Sequence, residues 1–311
     1  MTDWSPTFKC NDNCVSCINN TEIACRANDP PLKQIFNILE KINPKTDYLG
    51  LSGGEPTLRK EFFKILKYAR ERHPDLYILI LTNGRMFSYK KFAKKLASLN
   101  LGNFMVAVAL YGHNEEIHES ITRSKGSFLQ TTNGIRNLLS FGIPVEVRTI
   151  INKINYKYME NFAKFVAERF PTVNRAVFVN MKVTGNALKN RDQVLVKISE
   201  VVPYVEKAVK ILQEKKIETR LFHFPLCVIP ENLWNLAKGI TKREIEELTF
   251  VEECEKCLMQ EECPRIWKSY VEVVGCEEFR AINPKKVEKY FEKERINIGF
   301  YLSKNEIRRN S

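Results

Sequence analysis

Cys10, Cys14 and Cys17 stand in a C-x3-C-x2-C spacing, close enough for three thiolates on one loop to converge on a single small object. Three is an informative count. A structural zinc or a fully ligated cubane takes four protein ligands, whereas three thiolates leave one metal position open. The alternative use of the same residues is a zinc site completed by Cys25 or a distant histidine. A second set, Cys254, Cys257 and Cys263, forms C-x2-C-x5-C in an acidic context with Glu252-Glu253 and Glu261-Glu262, and Cys227 lies upstream. Four thiols can close a site, as a zinc ribbon or a cluster, or stand free. The chain has nine cysteines and none between 25 and 227. Two knots of thiols so far apart are unlike a secreted disulfide framework and read as metal or cluster ligands.

The elements that must position these residues alternate in periodicity. Helical stretches fit residues 32 to 42, 60 to 72, 89 to 99, 128 to 141, 158 to 169 and 195 to 215, with apolar faces such as Ile35, Ile38, Leu39 and Ile42. Between them lie short apolar, β-branched runs: Tyr48 to Leu51, Tyr77 to Leu81, Phe104 to Leu110, Val145 to Ile151 and Ala176 to Met181. A stub at Thr7 to Lys9 makes six strands. Starts separated by roughly 26 to 42 residues are one βα unit apart, so the strands should be parallel, in an α/β fold whose chemistry sits after the strand C-termini. Six units without eight favour a partial, open barrel. The repeat should end near residue 215, where strand-like Ile217 to Phe222 leads into the second cysteine region. The expected division is a barrel over 1–214, a cysteine-rich region over 215–283 and a basic, helical tail over 284–311.

The second predicted strand ends in Leu51-Ser52-Gly53-Gly54-Glu55-Pro56. Two residues without side chains let backbone approach a ligand closely, and Glu55 offers an acceptor for an ammonium group. Gly-Gly-Glu-Pro one βα unit after C-x3-C-x2-C resembles the radical SAM superfamily, whose members carry both motifs, in this order, on a partial (β/α)6 barrel. The resemblance implies a 4Fe–4S cluster on Cys10, Cys14 and Cys17, with S-adenosylmethionine chelated to its open iron. Reductive cleavage of that cofactor would give a 5′-deoxyadenosyl radical that abstracts hydrogen from an unactivated carbon. It further implies Gly53, Gly54, Glu55 and Pro56 as cofactor-binding residues. Thr82 joins them from Leu81-Thr82-Asn83-Gly84, although a simple strand-ending turn accounts for that motif equally. Arg123 matches an arginine that meets the cofactor carboxylate, and a surface ion pair is its other reading. Ala109 departs from the serine that many relatives carry. Alternation leaves open whether Arg148 points into the barrel or outward, and His118 reads as a packing or hydrogen-bonding residue.

The C-x2-C-x5-C set resembles the SPASM or twitch extension of peptide-modifying radical SAM enzymes. Trp267 stands where a full SPASM pattern has another cysteine, and a second upstream cysteine is missing. The resemblance therefore implies one auxiliary 4Fe–4S cluster on Cys227, Cys254, Cys257 and Cys263. Cys276 is then left over, as a speculative hydrogen donor, a buried small hydrophobe or a replacement for Cys227, and Cys25 is spare too. Leu81 to Arg85, Leu110-Tyr111-Gly112, Leu226-Cys227-Val228 and Leu233-Trp234 are similar to the maturases of the His-Xaa-Ser peptide system.

Composition bounds the rest. Over 311 residues, 44% hydrophobic and 28% charged with 13 Gly and 13 Pro, the chain is neither disordered nor collagenous. No window approaches a membrane span, and Met1-Thr2-Asp3-Trp4 lacks the order of a signal peptide, so a cytoplasmic protein is expected. A net charge of +12 suits an acidic partner, either a tRNA backbone or an acidic leader peptide, and equally a surface of solvated lysines. The leading expectation is hydrogen abstraction from a ribosomally made peptide or protein, leading to crosslinking, oxidation or epimerisation, with an external electron donor such as flavodoxin or ferredoxin. The alternatives are radical chemistry on tRNA or a small metabolite, and a zinc-stabilised binding protein.

Overall fold

The computed structural model describes residues 2–44, 48–237 and 242–293. Seven strands form one sheet: β1 (Thr2–Trp4), β2 (Leu49–Leu51), β3 (Ile78–Thr82), β4 (Phe104–Ala109), β5 (Val145–Ile151), β6 (Arg175–Asn180) and β7 (Glu218–Phe222). Each pairs in parallel with the next in sequence. β1 and β7 are the two edges, so the barrel is open. The helices Phe62–Arg72, Lys90–Ala97, Ser127–Ser140, Met159–Arg169 and Ile198–Glu214 pack outside it through faces spaced at i, i+3, i+4 and i+7, such as Phe62, Ile65, Leu66 and Ala69.

Strand register separates the two faces of the sheet. Paired residues of neighbouring parallel strands point the same way, and residues two apart share a face. Ile80, Val106, Val147 and Phe178, on the helix side, are each 0% exposed. Leu81, Ala109, Arg148, Ile150, Val179 and Phe222 stay partly open and line the barrel interior.

The first strand is Thr2–Trp4, upstream of the expected Thr7 to Lys9. Pro6 has no N–H to give to a ladder. Beyond it, the carbonyls of Thr7 and Lys9 accept from the N–H groups of Gly54 (2.9 Å) and Glu55 (2.8 Å) in the loop after β2. At the other edge, β7 joins the sheet as a seventh parallel strand and carries it past residue 214. Its alternation of exposed Glu218 and Arg220 with buried Thr219 and Leu221 is that of an edge strand with one covered face.

After β7 the chain forms a small antiparallel pair, β8 (Leu248–Thr249) with β9 (Ile266–Trp267), and the helix Lys268–Val274. Trp267 Nε1 donates to the Asn180 carbonyl at the end of β6 (3.4 Å), and its ring meets His223, just after β7, at 4.1 Å between centroids. This region therefore sits on the C-terminal ends of β6 and β7. The tail is helical over Pro284–Lys293, and the rest of it lies outside the described residues. Among the described residues no helix is long and apolar enough to cross a membrane.

Candidate functional site

The loop bearing Cys10, Cys14 and Cys17 follows β1 and is held from several sides. The guanidinium of Arg85 pairs with Asp12 at 2.5 Å and also donates to the Asn11 carbonyl. Asn83 Nδ2 donates to Asn11 Oδ1 (2.7 Å) and to Asp12 Oδ2 (3.0 Å). The N–H groups of Asn13 and Val15 reach the carbonyls of Thr122 (3.0 Å) and Ile121 (2.8 Å). From the segment after β6, Asn186 Nδ2 donates to the Cys14 carbonyl (3.0 Å) and Ala187 N–H to that of Cys17 (3.1 Å). Contacts from the loops after β3, β4 and β6 thus fix a segment with no regular structure of its own.

Cys10 responds to the charge of Cys17, and Cys14 to the charge of both. Burial pushes Cys10 up to about 12 and raises Cys14 and Cys17 as well. Such a donor set is held as thiols until a cationic centre draws the protons off, and it fits an iron–sulfur core. The Asp12 N–H also donates to Cys10 Sγ (3.4 Å).

The Gly-Gly-Glu-Pro segment also has a task within the protein itself. A Cβ on Gly54 would lie 2.3 Å from the Lys9 carbonyl oxygen, and one on Gly53 (φ +126°) 2.4 Å from that of Thr7. The two glycines therefore admit the backbone of the cysteine loop. Glu55, 1% exposed, turns inward and accepts from Thr57 N–H (3.1 Å), Thr57 Oγ1 (2.5 Å), Thr82 Oγ1 (2.7 Å) and Asn83 N–H (2.6 Å). Burial raises its carboxyl pKa while these donors oppose the rise. Pro56 is buried and opens the short turn Pro56–Leu58. Thr82 also accepts from Gly84 N–H (3.0 Å), so it closes the end of β3.

Cys227, Cys254, Cys257 and Cys263 line one cavity of about 340 Å³, counting the solvent at its mouth. Arg265 and Arg280 share the lining. Burial pushes Cys227 up to about 12 and Cys263 up to about 11. The backbone of Arg280 bonds to Cys227, and those of Leu226 and Arg265 to Cys263. Arg265 Nε is buried without a hydrogen-bond partner. Four thiols around a space, with amide donors and two cationic residues, fit the net negative charge of a thiolate-ligated cluster. Neither cysteine set closes to the spacing of a single-ion site among the described residues. Cys276 and Cys25 are exposed and stand outside the cavity lining, which Cys227 shares with the C-x2-C-x5-C thiols.

The radical SAM superfamily model matches residues 4–166, from β1 to the helix after β5. The chain belongs to the radical SAM superfamily. Among curated relatives, it is 28% identical to the mycofactocin maturase MftC of Mycolicibacterium smegmatis over 171 residues, 53% of this chain and 41% of that protein. It is 28% identical to the Fe-coproporphyrin III synthase of Methanosarcina barkeri over 217 residues, 68% of this chain and 52% of that protein. The chain thus spans about half the length of the curated relatives it matches. Its fold is similar to native anSMEcpe with bound AdoMet and Kp18Cys peptide, with a TM-score of 0.57 at 14% identity, covering 98% of this chain and 99% of that one.

On this radical SAM barrel, Arg123 lies at the end of the helix Glu115–Thr122 in a left-handed conformation (φ 53°). Its exposed guanidinium reaches Asn190 Oδ1 (3.1 Å) and Gln193 Oε1 (3.5 Å), both neutral. Arg148 points into the barrel, on the same face as Ala109, oriented by Glu146 (2.6 Å) and lying over the Phe222 ring at 5.2 Å. His118 is 1% exposed and accepts from the Tyr111 N–H through Nδ1 (3.2 Å), a packing role. Sequence reasoning passed over Asp12 and Asn186. Asp12 lies between two candidate ligands, and that position was the one signal for it.

Proposed function

We propose that this chain is a radical enzyme that removes hydrogen from a ribosomally made peptide or protein. Cys10, Cys14 and Cys17 hold a 4Fe–4S cluster, and Gly53, Gly54, Glu55, Pro56, Thr82 and Arg123 surround S-adenosylmethionine. When bound, the pair supplies a 5′-deoxyadenosyl radical by one-electron reduction. Arg123, held only by neutral amides among its described contacts, keeps its charge for the cofactor carboxylate. The apolar residues Leu81, Ala109, Ile150 and Val179 keep the upper barrel poor in water, and Arg148 offers the substrate a fixed cation.

The observation that carries the peptide reading is the gathering of Cys227, Cys254, Cys257 and Cys263 around one cavity beside the end of β7. It supports an auxiliary 4Fe–4S cluster that takes up an electron or holds substrate. The similarity to a maturase and to a peptide-bound structure points the same way. The test is iron and sulfide per chain after anaerobic reconstitution, in the parent and in a Cys10/Cys14/Cys17 triple alanine variant. About eight irons falling to about four supports two cubanes. About four falling to none removes the auxiliary cluster and favours the second reading, a small-molecule substrate, for which the similarity to Fe-coproporphyrin III synthase speaks.

A further inference from the structure

The lower half of the barrel holds more positive charge than it pairs. On the lumen face of β5, the Glu146 side chain is 3% exposed and serves two arginines at once. Its Oε1 accepts from Arg148 Nε (2.8 Å) and lies 2.6 Å from Arg148 Nη2, while its Oε2 lies 3.0 Å from Arg175 Nε on β6. Help from the next strand is divided too. Glu218 Oε1, on β7, is 3.8 Å from Arg175 Nη1 and takes Arg220 Nε at 2.7 Å. Three guanidiniums thus share two carboxylates, and one positive charge is left over.

Register and exposure place that surplus on Arg148. Arg175 and Glu218 open their strands at the level of Glu146, whereas Arg148 stands one step higher, level with Ala109. Arg220 is 50% exposed and has water around its charge, while Arg148 is 17% exposed. The Nε–Nη2 edge of Arg148 is turned to Glu146, and no described residue bonds to its Nη1. Its outer edge, formed by Nη1 and the second hydrogen of Nη2, is therefore unused. Glu146 on one side and the Phe222 ring at 5.2 Å on the other fix the plane of the guanidinium. A planar cation held largely out of water with one edge unused is suited to a two-oxygen anion. One surplus charge matches a carboxylate, whereas a phosphate dianion would bring two.

We infer that Arg148 is a specificity-determining residue that takes a carboxylate of the substrate, on an acidic side chain or a chain end, into the barrel. The inference deepens the proposed function and rests on its reading of the lumen as the substrate site. A carboxylate anchored there sends its carbon chain past the apolar Ile150 and Val179 toward the strand ends, where the cysteine loop lies.

The test is binding of three small probes to the reconstituted full chain, read by saturation-transfer nuclear magnetic resonance. N-acetylglutamate N-methylamide carries a side-chain carboxylate, N-acetylglutamine a terminal one, and N-acetylglutamine N-methylamide none. At least one charged probe should bind the parent, the stronger of the two naming the source, and the neutral probe should not. Arg148→Gln should weaken that binding about tenfold or more, because a charge-assisted pair is lost. Equal binding of charged and neutral probes, binding unchanged in Arg148→Gln, or no binding of either carboxylate overturns the inference. Tighter binding of inorganic phosphate, lost in the same variant, overturns it by changing the class of anion.

Thermal melting separates this role from a structural one. Arg148→Gln leaves Glu146 with Arg175 and should melt close to the parent, whereas Glu146→Gln strands both arginines and should melt lower. An Arg148→Gln chain that melts as low as Glu146→Gln makes the arginine a structural partner and overturns the inference. None of these readings needs turnover. A parent that binds a carboxylate through Arg148 yet cleaves no S-adenosylmethionine refutes the radical reading and not the anion site.

Discussion

Asp12 and Arg85 are joined by a 2.5 Å ion pair whose carboxylate side chain is 2% exposed and whose guanidinium is 14% exposed. One partner lies between Cys10 and Cys14 and the other lies after β3, so the pair ties the cysteine loop to the sheet. Removing one member of a buried pair strands the other charge, which typically costs about 3–5 kcal/mol. Arg85→Met should lower unfolding stability by about that amount in urea titrations. Iron should fall by about four per chain while the C-terminal site stays loaded.

Gly54→Ala should act on the same loop by a different route. Its Cβ would meet backbone oxygen at Lys9 and Phe8, which cannot rotate away as a side chain can. Overpacking of this kind costs about 1–3 kcal/mol. The expected outcome is a lower melting temperature for the chain before reconstitution, when no cofactor is present. A variant that melts like the parent and fails only on adding S-adenosylmethionine would confine this glycine to its cofactor role.

His118 gives a pH signature with a definite sign. Burial holds it down to about 3 in the folded chain, well below an ordinary histidine near 6.5. Between those values the unfolded state binds the proton and the folded state does not, so stability falls as pH drops below about 6.5. By pH 5 the loss from this residue alone is about 2 kcal/mol. His118→Gln should flatten the pH dependence of unfolding over that interval, whatever its effect at pH 8. An unchanged slope would mean that the ring is protonated in the fold.

Cys227→Ala and Cys276→Ala separate the two assignments of the fourth C-terminal thiol. The first should remove about four irons per chain and the second none. The visible absorption of the reconstituted proteins reads both.

Much of this was legible in the sequence, and the exceptions have physical causes. The strands from β2 to β6 were found to within a residue or so, because β-branched runs between amphipathic helices leave little choice. Cys227 lines one cavity with the three thiols that the sequence pattern groups with it. The start of the sheet was misplaced because Thr7-Phe8-Lys9 has strand-like composition, whereas Pro6 decides where the ladder stops. β7 was seen as a strand but not as a member of the barrel, since its charged lumen residues, Glu218 and Arg220, hide its parallel partnership. The direction of Arg148 was undecidable from a period of two and is settled by its register with Ala109. The inward turn of Glu55 depends on a contact across 27 residues, which no local pattern announces.

The way the cysteine loop is held also has a consequence for the order in which the molecule is made. Cys10, Cys14 and Cys17 leave the ribosome well before the residues that hold them. Yet Asn190 Nδ2 bonds to the Val15 carbonyl across 175 positions of sequence, and Asn186 reaches Cys14 across 172. Domains generally acquire such distant pairings only once the intervening chain is available. These thiols are thus made well before their final surroundings, and a nascent chain that ends before Asn186 presents them without that shelter.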